Sequence, residues 1–386
     1  MQRYGVKYLS IVNQLDDNYA NVYISLSLQG LCSGDSEHLF LPYDDNIRLL
    51  TSNFDRIMKE LGIVQGTCLE AWTLSRLDFA VDIKTPDANQ YVQLMKKAKQ
   101  PYHYKLLCDK AGSFYSGTQK STTVLNHYDK TNERKSRGLQ DGSDEYSPIM
   151  RLEVQIKATR KLADLKKRHN LKGKSLLDFL QIDVAKDVIE RHDERFGLTG
   201  DYFSIAEATR LIKASGKQKQ SKERMIAFLT KVTKCKNVNA ACKLYERETG
   251  KSSTDLLRSL RKLGINPVTI PCRENTPRLP GIVSLVEDEF DKLEAKNQVF
   301  KDGNCLFPRN ENNVETLHQQ QLFVSRRILF AGISAFSDDK GIAISLRMCI
   351  FSKLSGKNKD IEIAKGSHAV CDWYGNSNTS HYRGPP

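Results

Sequence analysis

No stretch of this sequence approaches the roughly 18 to 20 apolar residues that a membrane-spanning helix needs. Its longest uncharged apolar run, near Ile328 to Phe336, falls far short of that, so no membrane partner is expected. The first residues, Met1 to Gly5, lack the apolar core of a signal peptide, which points to a cytoplasmic protein. The nine cysteines are odd in number and contain no Cys-x-x-Cys pair. That spacing suits neither a disulfide framework nor a zinc site, and buried reduced thiols are expected. Nor is the composition that of a fibre or a disordered chain, since 39% hydrophobic and 27% charged residues are ordinary for a globular protein. A length of 386 residues suffices for two or three domains, each with its own core.

What the sequence has in excess is positive charge, and the excess is regional. Residues 151 to 280 hold 29 Lys+Arg against 15 Asp+Glu, a net of +14, while the rest of the chain holds 30 against 31. An anionic polymer is therefore the expected partner of that region.

Hydrophobic periodicity divides the chain into three parts. Over residues 1–158, strand-like runs at 19–28, 71–84, 112–118, 122–130 and 148–157 alternate with two helical patterns. The first helix, 46–61, gathers Ile47, Leu50, Phe54, Ile57 and Leu61 on one face; the second, 87–99, gathers Tyr91, Leu94, Met95 and Ala98. The last three strand runs are joined by gaps too short for crossover helices, apart from a polar loop at 132–147. The expected fold is α+β: an antiparallel sheet with helices on one face. Residues 159–280 read as a basic helical region. It includes a capping box at Ser204 to Glu207, a stripe of Val238, Ala241, Cys242 and Tyr245 ending at Gly250, and a helix over 254–263 stopped by Gly264. A helix-turn-helix and a plain helical bundle fit that pattern equally. In 281–386 one acidic amphipathic helix is expected at 281–300, and the remainder stays unassigned.

The chemistry concentrates on one strand face. In Ser75 to Ile83 the apolar Leu77, Phe79, Val81 and Ile83 alternate with Arg76, Asp78, Ala80 and Asp82; Arg151, Glu153, Gln155 and Lys157 alternate likewise with Met150, Leu152, Val154 and Ile156. Side chains two apart share a face, so the carboxylates of the two strands can converge within one sheet. Asn126, Tyr128 and Lys130 share a face of a third strand, with His127 turned to the opposite side as a structural residue. A free phenol titrates near 10 and needs help to attack a phosphate. Carboxylates such as Asp78, Asp82 and Glu153 suit a hard divalent ion, Mg²⁺ or Mn²⁺, that polarises a phosphoryl oxygen. Lys130 is placed to stabilise developing charge. The plainer alternatives are surface ion pairs for the two Arg-x-acid strands and a core or rim position for Tyr128.

Taken together, Ser75-Arg76-Leu77-Asp78-Phe79-Ala80, Tyr128-Asp129-Lys130-Thr131-Asn132-Glu133 and Arg151-Leu152-Glu153-Val154, in this order and spacing, resemble the gene II-type replication initiators of filamentous bacteriophages. The similarity extends to Asn21–Gly30 and to Leu256–Ile265, and covers about residues 20 to 270. It implies a Rep nickase or RRM-like catalytic domain. It also implies a rolling-circle role in which Tyr128 nicks one DNA strand and keeps a 5′-phosphotyrosine link, with Lys130 and Glu133 as further catalytic positions. Asp78 and Glu153 match the acidic residues of the flanking strands, and their metal role, with Asp82, follows from carboxylate chemistry. The implied partners are phage or plasmid DNA, as origin duplex and single strand, together with a host helicase and polymerase in a bacterial cytoplasm. Arg76, Arg151, Arg258, Arg261 and Lys262 are the expected DNA contacts. The His-hydrophobic-His motif of the wider nickase class is absent, which favours carboxylate ligands. The chain begins later than the resemblance implies, so a first strand is expected to be missing. Two rivals stand beside this reading. One is a non-catalytic helix-turn-helix/RRM-like nucleic-acid-binding regulator; the other is a hydrolytic nuclease in which Asp78, Asp82 and Glu153 activate water through two metals.

Overall fold

The computed structural model describes residues 5–13, 19–34, 38–61, 68–108, 112–139, 148–301 and 347–355. Five antiparallel strands make the central unit: β3 (Thr73–Lys84), β4 (Tyr104–Cys108), β5 (Ser113–Thr118), β6 (Thr123–Asp129) and β7 (Ile149–Ile156). They lie in the order β3-β7-β6-β5-β4. Beyond β3 the sheet continues through β10 (Arg347–Ser355), β2 (Tyr19–Ser27) and β1 (Val6–Asn13), all antiparallel. The fold is thus α+β, built on an antiparallel sheet. The strand β1 pairs along β2. Of the cysteines expected to be buried, Cys68 and Cys272 are exposed and Cys32, Cys235 and Cys242 are partly exposed. The strands β1 and β4 lie in segments that show no clean alternation in the sequence. The strand β10 belongs to the segment expected to stay unassigned; residues 302–346 and 356–386 lie outside the described residues.

Alternation decides which face meets the core. Leu77, Phe79, Val81 and Ile83 of β3, Phe114 of β5, Leu125 and His127 of β6, and Leu152 and Val154 of β7 are all buried. Helices cover this face: α3 (Ala88–Lys96), α5 (Thr159–Arg168), α7 (Ile182–Arg195) and α12 (Ile282–Lys301) pack on the central strands. Phe196, just past α7, meets Phe114 edge-on at 5.5 Å between ring centres. The short helices α1 (Leu28–Ser33) and α6 (Leu176–Phe179) and the longer α2 (Asp44–Glu60) flank the sheet. Within α2, Leu50, Phe54, Ile57 and Met58 are buried, as a 3.6-residue period requires.

The remaining helices form an outer layer: α8 (Ile205–Ala214), α9 (Lys219–Lys234), α10 (Val238–Thr249) and α11 (Thr254–Lys262). A two-residue ladder, β8 (Tyr202–Phe203) with β9 (Arg278–Leu279), ties this layer together. Gly250 ends α10 in the left-handed conformation its missing Cβ permits, at φ 66°. The expected box at Ser204 is only half formed: its hydroxyl accepts from the Glu207 N–H, but the Glu207 carboxylate turns to Arg210 instead. A complete box opens α6, between Ser175 and Asp178. One apolar cluster runs from the sheet through α7 into α9 and α10, so the two layers share a core.

Candidate active site

The face of the sheet turned away from the helices carries the expected polar residues. A tight turn sets their register: Ser121 adopts φ 48°, and the Thr118 hydroxyl accepts from the backbone N–H groups of Thr122 and Thr123 at 3.0 and 3.3 Å. That turn brings β6 back along β5 with Tyr128 opposite Ser113 and Asn126 opposite Tyr115. On the other side of β6, Tyr128 faces Arg151 and Asn126 faces Glu153. Across β7, Arg151 faces Asp82, Glu153 faces Ala80 and Gln155 faces Asp78. Tyr128, Arg151, Glu153, Asp78 and Asp82 therefore share one surface, with Arg151 and Glu153 at its centre.

This surface is largely sealed. Arg151, Glu153 and Gln155 are buried and Asp78 has no exposed area, so β7 is covered on both faces. Part of the cover is Leu39, which packs on Ala80 with Leu41 beside it. The remainder is ion pairing. Arg151 grips Asp82 with two hydrogen bonds of 2.6 and 2.7 Å, and Arg76 grips Asp78 likewise at 2.9 and 2.7 Å. Such bidentate pairing offsets the cost of burying the charges. Glu153 has a neutral partner, the Gln155 amide, which donates to Oε1. The open end of the surface is at β6, where Tyr128 and Asn126 are half-buried.

Electrostatics at Tyr128 oppose its ionisation. Burial pushes the phenol above its ordinary value; Arg151 pulls it down, while Glu153, Asp82 and Glu133 push it up. Burial works against the Arg151 charge, yet Asp82 and the surrounding negative groups hold the guanidinium protonated.

The chain leaves β6 directly into α4 (Lys130–Ser136). Asp129 caps this helix by accepting from the Asn132 N–H at 2.9 Å. Thr131 ties α4 back to β7 by accepting from the Ile149 N–H at 2.9 Å. Lys130 is thus the first residue of a helix, and strand alternation does not place it on the Tyr128 face. Its ammonium meets Glu133 at 2.7 Å, and Arg137 meets the other Glu133 oxygen at 2.9 Å. Burial acts against the Glu133 carboxylate, but the hydrogen bonds from Lys130 and Arg137 outweigh it and leave the group below its ordinary value.

The three carboxylates expected to hold a metal do not form a cage. Asp78 and Asp82 sit four residues apart on β3, each occupied by a guanidinium, and only Glu153 lacks an arginine in its closest pairing. Among the described residues no three His, Cys, Asp or Glu side chains gather as a metal site. As assembled, the donor set does not fit a divalent ion, which would have to displace Arg76 or Arg151.

No family model, curated protein or solved structure matches this chain.

Of the expected DNA contacts, Arg76 and Arg151 lie within the ion-paired surface, while Arg258, Arg261 and Lys262 are exposed on α11. Two features behind the site were not visible as chemistry in the sequence. His127 turns away from the surface, as alternation predicts, but its ring is a structural link. Its Nδ1 accepts from the Glu153 N–H at 3.3 Å, and its Nε2 meets Asp193 of α7 at 2.9 Å with both side chains fully buried. With Nδ1 accepting, the proton of the neutral ring lies on Nε2 and donates to Asp193. The backbone of Glu153 is therefore held from beneath by a residue flanked by Asn126 and Tyr128. No spacing rule pairs His127 with a residue 66 positions away. The Leu39 cover is the second such feature, and an apolar pair in a loop carries no signal of its own.

Proposed function

We propose that this chain is a DNA-nicking replication initiator of the rolling-circle kind, with Tyr128 as the nucleophile. The observation that carries the reading is the placement of Tyr128. It is the half-buried hydroxyl at the open end of an otherwise sealed ionic surface, with Arg151 opposite it on β7 and Glu153 and Glu133 close enough to act on its charge. In the proposed step the Tyr128 oxygen attacks the phosphorus of a phosphodiester. An O–P bond to tyrosine forms, the bond from phosphorus to the 3′-oxygen breaks, and the 5′ side of the nick stays on the protein. The phenolic proton passes to a carboxylate, Glu133 or Glu153, and the departing 3′-oxygen takes up a proton to become the 3′-hydroxyl that a polymerase extends. Arg151 is placed to stabilise the phenolate and the charge gathering on phosphorus. Reversal of the same step rejoins the strand after replication.

Lys130 holds Glu133 in position. No step of this reading passes through Mg²⁺ or Mn²⁺, because Asp78 and Asp82 are engaged by Arg76 and Arg151. The resemblance to gene II-type initiators supports the same nucleophile, and the net +14 of residues 151–280 supports DNA as the partner. Within this reading the origin duplex and the displaced single strand are the substrates, and a host helicase and polymerase act downstream.

The test is incubation of the chain with single-stranded phage DNA and Mn²⁺, followed by denaturation. A covalent protein–DNA band is expected with the native sequence and should vanish in Tyr128→Phe, while equilibrium DNA binding stays within about twofold of native. An adduct that persists in this variant, or that maps to another tyrosine, overturns the assignment.

One observation favours a second reading. The saturation of Asp78 and Asp82 by arginine, under the Leu39 cover, is what a purely structural surface requires, and it fits a non-catalytic nucleic-acid-binding module. DNA binding with no adduct under either metal would select that reading.

A further inference from the structure

A cleft of about 270 Å³ lies on the outer layer, between α11, the turn at Gly197 to Thr199 and the chain leaving α3. Three cations line it, Lys99, Arg258 and Arg261, and no carboxylate does. Arg258 and Arg261 share one face of α11 with Thr254 and Leu257, at the i, i+3, i+4, i+7 spacing of a helix surface. Lys262, the third basic residue of that helix, does not line the cleft. Two acids lie close to these cations. Asp255 meets Arg258 at 2.9 Å with both side chains mostly exposed, a pairing weak enough to be exchanged. Glu246, which senses the Lys99 charge, accepts from the Ser253 N–H and hydroxyl at 3.2 and 2.9 Å.

Hydrogen bonds tie the walls of the cleft to neighbouring elements. Lys99 sits on a segment pinned to α10 on both sides. The Val238 N–H donates to Lys97 O at 2.9 Å, and the Asn239 side chain bonds both the N–H and the carbonyl of Gln100, at 2.7 and 2.9 Å. The opposite wall is held by the buried Asn266, whose amide donates to the carbonyls of Gly197 and Thr199 at 3.0 Å each. Those two carbonyls, which would repel an anion, are thereby committed to Asn266. The floor of Leu257, Ile265 and Pro267 is apolar. Three cations and three apolar side chains lining one cleft suit a phosphate attached to a sugar.

We propose that this cleft binds one phosphate group of a nucleotide, with the attached sugar on the apolar floor. The inference rests on the DNA-binding half of the function proposed above and not on nicking. It assigns Lys99, from the sheet layer, to the same contact as α11. The phosphate can belong to the backbone of a DNA strand or to a free mononucleotide, and the same experiment separates the two.

The intact chain, Lys99→Ala, Lys99→Arg, Arg261→Ala and, as an equal loss of charge elsewhere, Lys213→Ala on the exposed side of α8 are compared. Each is titrated with labelled duplex DNA over a range of salt, and with deoxyadenosine monophosphate by calorimetry. On duplex, Lys99→Ala and Arg261→Ala should each shallow the slope of log K against log salt by roughly 0.9, the value of one phosphate contact. Lys99→Arg and Lys213→Ala should keep the native slope. A shallower slope assigns the backbone phosphate. An unchanged slope with monophosphate binding lost in both alanine variants assigns the free nucleotide. The proposal fails if neither titration responds to Lys99→Ala and Arg261→Ala, or if Lys213→Ala shallows the slope as much as they do. Absence of the covalent adduct, with these slopes as expected, would remove the nicking function and leave the cleft standing.

Discussion

On the polar face of the sheet Arg151 and Asp82 meet largely out of solvent, whereas Arg258 and Asp255 on α11 meet with most of both side chains in water. The same two residue types therefore do different work. A buried charge must keep its partner, because separation leaves an uncompensated ion in a poor solvent, so it defines position. A solvated charge loses little when its partner changes, so it is free to exchange a carboxylate for a phosphate. The sheet surface is thus built to hold Tyr128 in place, and the cleft is built to receive an anion.

The largest effect that would sharpen this contrast is on stability. Arg151→Ala should destabilise the fold by about 3 to 5 kcal/mol, because Asp82 is left buried without its guanidinium. The double variant Arg151→Met with Asp82→Leu should recover most of that loss, and chemical denaturation of the three variants measures both. A double variant as unstable as the single would mean that the pair contributes more than mutual neutralisation. Next in size is Asp193→Ala. It strands the buried Nε2–H of His127 and should cost about 1 to 3 kcal/mol. Because His127 also holds the Glu153 backbone, the rate of adduct formation should fall while DNA affinity does not; equal loss in both would reduce the link to a plain fold contact.

A smaller effect depends on pH. Burial lowers the His192 pKa from 6.5 to about 4. The folded state thus prefers the neutral ring, the unfolded state takes up a proton first as pH falls, and stability is lost between about 6.5 and 4. Melting temperature should decline over that window in the native chain and less steeply in His192→Gln. Glu133 acts in the same direction but at lower pH: its lowered value contributes stability above the unfolded pKa that is lost as pH falls through the folded one. The two windows are therefore separable. The smallest expected effect is that of Arg258→Ala on stability, within roughly 0.5 kcal/mol, as for other exposed charges. A loss near that of Arg151→Ala would erase the distinction between the two regions.

Much of the central sheet was legible in the sequence because strand alternation is a local property. The runs at 71–84, 122–130 and 148–157 became β3, β6 and β7 with the apolar and polar faces as read, and the helices at 46–61 and 87–99 became α2 and α3 within a few residues. The shared face of Asp78, Asp82, Arg151, Glu153 and Tyr128 follows from the same period of two. Lys130 shows where that rule stops: a helix begins at this residue, and the period changes with it. Beyond the sheet region the packing is long-range: α5, α7 and α12 lie on β3, which periodicity within either region does not contain.

Periodicity, capping and charge count thus determined the element types, the face each strand presents and the basic character of residues 151–280. Only the tertiary structure decided which charges meet. The Asp82–Arg151 pair depends on how β3 registers with β7 across 69 residues, the His127–Asp193 link on how α7 lies under the sheet, and the convergence of Lys99 with α11 on how α10 docks on the end of α3. A local pattern sets the direction of a side chain relative to its own backbone. Its partner is set by long-range closure of the core, which no short window of sequence contains.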